Sequence, residues 1–267
     1  MSSHMTQRHN RHSIPVRDLR SLRARLARFE RLDRLPVLPL GLKAIDAHLP
    51  WGGLPCGCLH EVIDRGDGAS IGFAGALLAR LSARGPVLWL TSRDDLYPAG
   101  LERLGSPGWT RRLLVVETRR AADTLWAMEE SLRAPSLAGV LAETPKLTLK
   151  DSRRLQLAAE TRAATGLILR RLPAGTAAED IDSALPASAA VTRWCATTLP
   201  SHRAQGRPDE DKFNGIGFSR WRVELLRCRG GKPRLWTMEQ NDETGAFAVV
   251  TEILDRQDRA DEARLAV

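Results

Sequence analysis

Residues 52–72 read GGLPCGCLHEVIDRGDGASIG, and the order of residue types in this stretch decides the fold. The apolar run CLHEVI (58–63) predicts a strand, the following glycine-containing segment a loop, and IGFAGALLARLSA (71–83) a helix. Strand, glycine loop and helix in that order have the rhythm of a phosphate-binding loop, and such a loop needs a lysine. No lysine lies between Lys43 and Lys146, and the nearest basic residue is Arg65 at the start of the loop.

Downstream, the same alternation continues. PVLWLT (86–91), RLLVVE (112–117), LAGVLAE (137–143) and TGLILRR (165–171) predict strands. Between them LYPAGLERLG (96–105), AADTLWAMEESLRA (121–134) and LKDSRRLQLAAETRAAT (149–165) predict helices. This alternation predicts an α/β fold whose mostly parallel central sheet is flanked by helices. After Arg171 the helical rhythm stops. PAGTAAEDIDSALPAS (173–188) reads as loop, and AAVTRWCATTLP (189–200), SRWRVELLRCR (219–229) and PRLWTMEQ (233–240) read as strands of an antiparallel C-terminal extension. The polar insert 201–217 between the first two reads as a mobile loop.

Upstream, residues 16–35 place Leu19, Leu22, Leu26 and Phe29 three and four apart with arginines on the remaining face, which predicts an amphipathic helix ended by Pro36. The segment VLPLG separates it from the core, so packing on its own domain and docking on another molecule both stand. Residues 1–15 are expected to be disordered or a tag, with MSSH before Met5 reading as an expression scar. The core is expected over 36–254, and the charged tail 255–267 is expected to be frayed or a short helix.

Composition narrows the class. With 43% hydrophobic and 27% charged residues the chain reads as a soluble globular protein, and no apolar run approaches the roughly 20 residues that span a bilayer. Cytoplasmic residence is the expectation. Four cysteines, Cys56, Cys58, Cys195 and Cys228, match no zinc spacing and read as reduced, mostly buried thiols. The net charge of +8 permits an acidic partner such as nucleic acid, but nearly all of it is arginine, which a GC-rich genome produces without functional demand.

From LPLGLKAIDAHLP through GGLPCGCLHEVIDRGDGASIG the sequence resembles the opening of a RecA core. In that register Ile45 and Asp46 fall on a helix, Gly52 to Pro55 on a turn, and Glu61 on the strand before the nucleotide loop. The loop positions are then Asp64, Arg65, Gly66, Asp67, Gly68, Ala69, Ser70 and Ile71, with Ala69, Ser70 and Ile71 where Gly-Lys-Thr is required. The resemblance therefore implies a degenerate loop with no cofactor, no metal and no catalytic residue, and two aspartates that repel phosphate. Glu143 ends the strand that would hold magnesium, and Asp94 or Asp95 faces the position of the catalytic glutamate.

The wider set GGLPCGCLHEV, PVLWLTSRDDLYPAGLERLG, LWAMEESLRAPSLAGVLAE, DSRRLQLAAETRAATGLILR, TRWCATTLPS and RWRVELLRCRGGKPRLWTM resembles the ImuA family across residues 36–240. That family is the RecA-like accessory component of the ImuA, ImuB and ImuC mutagenesis cassette, sometimes grouped with SulA. The resemblance implies a non-catalytic partner in SOS-induced translesion synthesis that binds ImuB by capturing a RecA-like segment on its core, in a nucleoid-associated setting. Two rivals stand beside it: a regulator that caps or inhibits RecA filaments, and an atypical DNA-dependent ATPase.

Candidate surfaces follow. Leu125, Met128, Leu132 and Val140 are a candidate groove lining, with core packing as the alternative, and an exposed sheet edge is a second route for a partner strand. The N-terminal helix also allows self-association. Arg153, Arg154, Arg170 and Arg171 are candidate phosphate-backbone contacts, with a solvated arginine face as the alternative. Trp51, Trp89, Trp126, Trp194, Trp221 and Trp236 sit mostly in apolar runs and read as core rather than base-stacking residues. His60 and Glu61, on one strand without a nucleophile or metal set, read as structural.

Overall fold

The computed structural model describes residues 32–92, 96–162, 164–172, 185–202, 218–240 and 247–253. Two units divide the chain, 1–34 and 35–267. In the first, Leu32–Arg34 form a single 3-10 turn, and Leu19, Leu22, Leu26 and Phe29 lie outside the described residues.

The second unit opens with a short antiparallel pair, β1 (Val37–Leu38) and β2 (Leu54–Pro55), on either side of α1 (Lys43–His48). Of the segment VLPLG, Val37 and Leu38 form the strand β1 of this small sheet. Asp46 on α1 fixes the preceding turn, its carboxylate accepting the Leu40 amide at 2.7 Å and the Gly41 amide at 2.9 Å. Gly53 makes the pairing possible, because a Cβ there would come within 2.6 Å of the Leu38 carbonyl oxygen.

The main sheet has nine strands among the described residues. They are β3 (Leu59–Asp64), β4 (Val87–Thr91), β5 (Leu113–Glu117), β6 (Gly139–Glu143), β7 (Thr165–Arg171), β8 (Thr192–His202), β9 (Phe218–Cys228), β10 (Arg234–Gln240) and β11 (Phe247–Ile253). Their order is β11-β10-β9-β8-β3-β7-β6-β4-β5. The pairs from β5 across to β8 are parallel, and β8–β9, β9–β10 and β10–β11 are antiparallel. This is the α/β architecture with an antiparallel C-terminal extension that the alternation of patterns implies. The strand β11 was not foreseen.

Helices cover both faces. On one face α2 (Ala69–Leu81) packs Phe73, Leu77 and Leu78 against Val62, Trp89, Leu141, Leu167 and Trp194. On the other, α4 (Ala121–Arg133) and α5 (Leu149–Arg162) pack Met128, Leu132, Leu155 and Ala159 against Leu88, Leu90, Val140, Ala142 and Ile168. Each central strand therefore sends alternate apolar residues into two different cores, which is why its sequence is apolar throughout. Gly68, with φ +85°, turns the chain into α2, and Gly72 lets that helix approach β9, since a Cβ there would lie 2.7 Å from the Trp221 ring. The expected helix over 96–105 shrinks to α3 (Pro98–Glu102), and α5 stops at Arg162 because Thr165 already belongs to β7.

One buried charge cluster crosses the middle of the sheet. Glu61 on β3 is fully buried, and its two oxygens accept from Arg170 Nη1 on β7 and Arg193 Nε on β8, both at 2.8 Å. Ser188 Oγ donates to the same carboxylate at 2.9 Å. Burial alone would raise the Glu61 carboxyl, but Arg193 and Arg170 overcome that penalty and hold it below its ordinary value. Glu61→Ala leaves two buried guanidinium groups uncompensated, so urea unfolding should show a loss of roughly 3–5 kcal/mol. A loss well under 1 kcal/mol would mean that water already neutralises the cluster.

Candidate functional site

In the loop after β3, two backbone amides are engaged by the loop's own carboxylates. Asp64, buried at the end of β3, accepts the Gly66 amide through Oδ1 at 3.0 Å. Asp67 accepts the Ala69 amide through Oδ1 at 3.1 Å, and its Oδ2 accepts the Thr198 amide at 2.7 Å and the Thr198 hydroxyl at 3.2 Å. A phosphate cradle works by leaving such amides open to an anion at a helix N-terminus. Here two carboxylates of the loop itself occupy them.

Ser70 is equally committed. Its hydroxyl is buried within reach of the Ile63 carbonyl at 2.6 Å and the Ala196 carbonyl at 2.9 Å, and its oxygen accepts the Ala196 amide at 3.0 Å. It therefore ties α2 to β3 and β8. Arg65 and Ile71 are half-buried, and Ile71 packs against the α2 core. At the end of β6, Glu143 accepts the Trp89 indole N–H at 2.8 Å and Arg171 Nη2 at 3.1 Å. Arg171 also faces Asp64 at 3.8 Å. Its guanidinium thus lies between the Asp64 and Glu143 carboxylates. Among the described residues no three His, Cys, Asp or Glu side chains form a metal-binding group, and Asp94 and Asp95 lie outside the described residues.

The remaining candidates separate. Arg170 is buried against Glu61 and is no part of a surface rim, because β7 lies inside the sheet. Arg153 and Arg154 are exposed on α5, and Arg154 is paired with Glu129. The four arginines do not form one face. Met128, Leu132 and Val140 are fully buried between α4 and the sheet, with half-buried Leu125 packed against them. They are core, not the lining of a groove. Trp126 is the opposite case: it is 65% exposed on α4, whereas Trp89, Trp194 and Trp236 are fully buried. His60 points to the opposite face of β3 from Glu61, with ring nitrogens 2.8 Å from Thr192 Oγ1 and 2.9 Å from the Pro55 carbonyl.

The surface that residue-by-residue reading passed over is β5. It ends the sheet, and its hydrogen-bonded neighbour is β4. Leu114, Val115 and Val116 are 54%, 50% and 43% exposed, so apolar side chains stand open on both faces of the strand. The signal in the sequence is the run RRLLVVETRR (111–120), where an arginine pair brackets each end of an apolar strand.

Curated relatives place the chain. It is 38% identical over 234 residues to Protein ImuA of Caulobacter vibrioides, in two strains, covering 84% of this chain and 92% of that protein. The chain belongs to the ImuA family. A shorter likeness links this ImuA-family chain to the cell division inhibitor SulA of Serratia proteamaculans, 33% identical over 84 residues, or 32% of this chain and 49% of that one. No family model matches. No helix among the described residues is long and apolar enough to cross a membrane.

His60 makes the local electrostatics testable. Burial pushes its imidazole down from 6.5 to about 4. Between those values the unfolded chain binds a proton that the folded chain refuses, so the contribution is complete above pH 6.5 and lost as pH falls toward 4. Over the whole window it amounts to about 3 kcal/mol. Urea unfolding at pH 7, 6 and 5 should lose stability steadily in the native sequence and less steeply in His60→Gln; equal slopes would clear the buried imidazole.

Proposed function

We propose that this ImuA-family chain is a non-catalytic RecA-like adaptor of the SOS-induced error-prone translesion synthesis machinery, binding ImuB and supporting DNA-damage-induced mutagenesis. The observation that carries the reading is the self-occupied loop: the amides of Gly66 and Ala69 serve Asp64 and Asp67, and the Ser70 hydroxyl serves the backbone of β3 and β8. A nucleotide would have to displace two carboxylates and find no lysine in the loop.

Docking falls to the sheet edge. A strand of ImuB added to β5 would satisfy the open backbone edge and cover Leu114, Val115 and Val116. The RecA-like segment expected in the partner would be the added strand. A second reading, a cap on RecA filaments, draws on the same open edge, since a RecA-like core that offers an edge without nucleotide chemistry can end a filament. DNA contact falls to Arg153 and the other exposed arginines of α5, acting only weakly, in a cytoplasmic, nucleoid-associated complex. Self-association through residues 16–35 belongs to the same proposal.

Titration with purified ImuB, with and without ATP and magnesium, tests the reading. Binding is expected to be indifferent to nucleotide, and a Leu114→Lys, Val116→Lys double variant should bind at least tenfold more weakly, about 1.4 kcal/mol, with an unchanged melting temperature. Binding that requires ATP would overturn the adaptor reading. Full affinity in the edge variant would move the docking surface elsewhere, and loss of RecA strand exchange on adding this protein would favour the filament cap.

A further inference from the structure

Away from the loop, the C-terminal end of α2 and the segment between α3 and β5 enclose an open groove of about 760 Å³. Its walls are built in advance. The Glu102 carboxylate holds the Gly108 amide and the Thr110 hydroxyl, the Trp109 indole donates to the Leu101 carbonyl at 2.9 Å, and Arg112 Nη1 donates to the Ser82 carbonyl at 2.8 Å. Gly105 lets this segment approach the helix, since a Cβ there would meet the Ala79 Cβ at 2.6 Å. Gln240 clasps the same segment from β10, donating to the Arg103 carbonyl at 3.1 Å.

The lining divides by chemistry. Leu38, Pro39, Ala83, Leu104, Trp109 and Phe247 supply apolar surface, and Arg80 and Arg112 supply charge. Arg80 is half-buried and makes no hydrogen bond to another described residue. Asp46 is the carboxylate it feels, and Asp46 is already committed to the Leu40 and Gly41 amides. A half-buried guanidinium without a hydrogen-bond partner among the described residues, at the lip of a preformed groove that is partly apolar, matches an anionic group carried on an apolar body.

We propose that this groove binds a short segment of a partner protein in which an aliphatic or aromatic side chain neighbours Asp or Glu. The carboxylate pairs with Arg80 and the free donors of Arg112, and the apolar side chain lies along Leu38, Leu104 and Phe247. A free phosphate or a nucleic-acid backbone would satisfy the arginines and leave that apolar wall uncovered. The site is independent of the β5 edge, whose apolar residues are not among those lining the groove.

Selection from a random displayed peptide library on the whole protein tests this, followed by titration of the enriched peptides as synthetic probes. Enriched peptides should share an apolar residue beside Asp or Glu. Arg80→Met, which keeps the side chain's apolar stem, should weaken them about tenfold or more. Ala83→Glu, at an exposed position on the rim, should do the same without touching the core. The Leu114→Lys, Val116→Lys variant should bind them normally. No enrichment, peptides without acidic residues, affinity unchanged in Arg80→Met and Ala83→Glu, or equal displacement by inorganic phosphate alone would each overturn the proposal.

Discussion

The carboxylate of Glu61 sits where three parallel strands meet, and its two oxygens leave little freedom in how they meet. Arg170 approaches from β7 and Arg193 from β8, so a shift in register on either side would bury a guanidinium without its counter-charge. Apolar contacts alone would tolerate such a slip better, because Leu, Ile and Val are interchangeable over short distances. The cluster thus fixes the order and register of the strands beneath the loop, and with them the positions of Asp64 and Ser70. A buried pair of this kind adds little net stability over a well-packed apolar alternative. Its contribution here is to the uniqueness of the arrangement.

Above that frame, the loop turns its chemistry inward. Asp67 reaches across to the backbone of β8, Ser70 ties α2 to β3 and β8, and Arg171 spans Asp64 and Glu143. In a working phosphate site these positions change partners as ligand comes and goes, and the surrounding strands must tolerate both states. Here Asp67, Ser70 and Glu143 hydrogen-bond within the fold, while Asp64 Oδ2 faces Arg171 Nε at 3.8 Å without a hydrogen bond.

Much of the architecture was legible because the central parallel strands are buried on both faces and read as apolar runs between helical repeats. Other features were not, and three of them show the physical reason. The two-residue strands β1 and β2 carry no periodicity, and their pairing depends on Gly53 leaving space for the Leu38 carbonyl. Met128 and Val140 look the same in sequence whether they line a groove or a core, and only the position of β6 inside the sheet decides. Arg170 and Arg171 are adjacent and chemically identical, yet strand alternation sends one to Glu61 in the interior and the other to Asp64 and Glu143 beside the loop. The lysine missing from the loop was visible at once, whereas the carboxylates that replace the anion required coordinates.

The two outward surfaces carry different risks for the free protein. An apolar edge strand is a template for unwanted pairing, and proteins blunt such edges with charge or cover. In β5 the charge is placed at the ends, as Arg111 and Arg112 before the strand and Arg119 and Arg120 after it, leaving the middle open. Arginines so placed repel a second copy of the same edge in either orientation, while a strand flanked by acids would be drawn in. The groove beside α2 follows the same logic on a smaller scale, with Arg80 held at its lip among apolar neighbours. On both proposed surfaces positive charge would discriminate against self and apolar area would supply the attraction, so an acid-bearing partner is the one the two proposals call for.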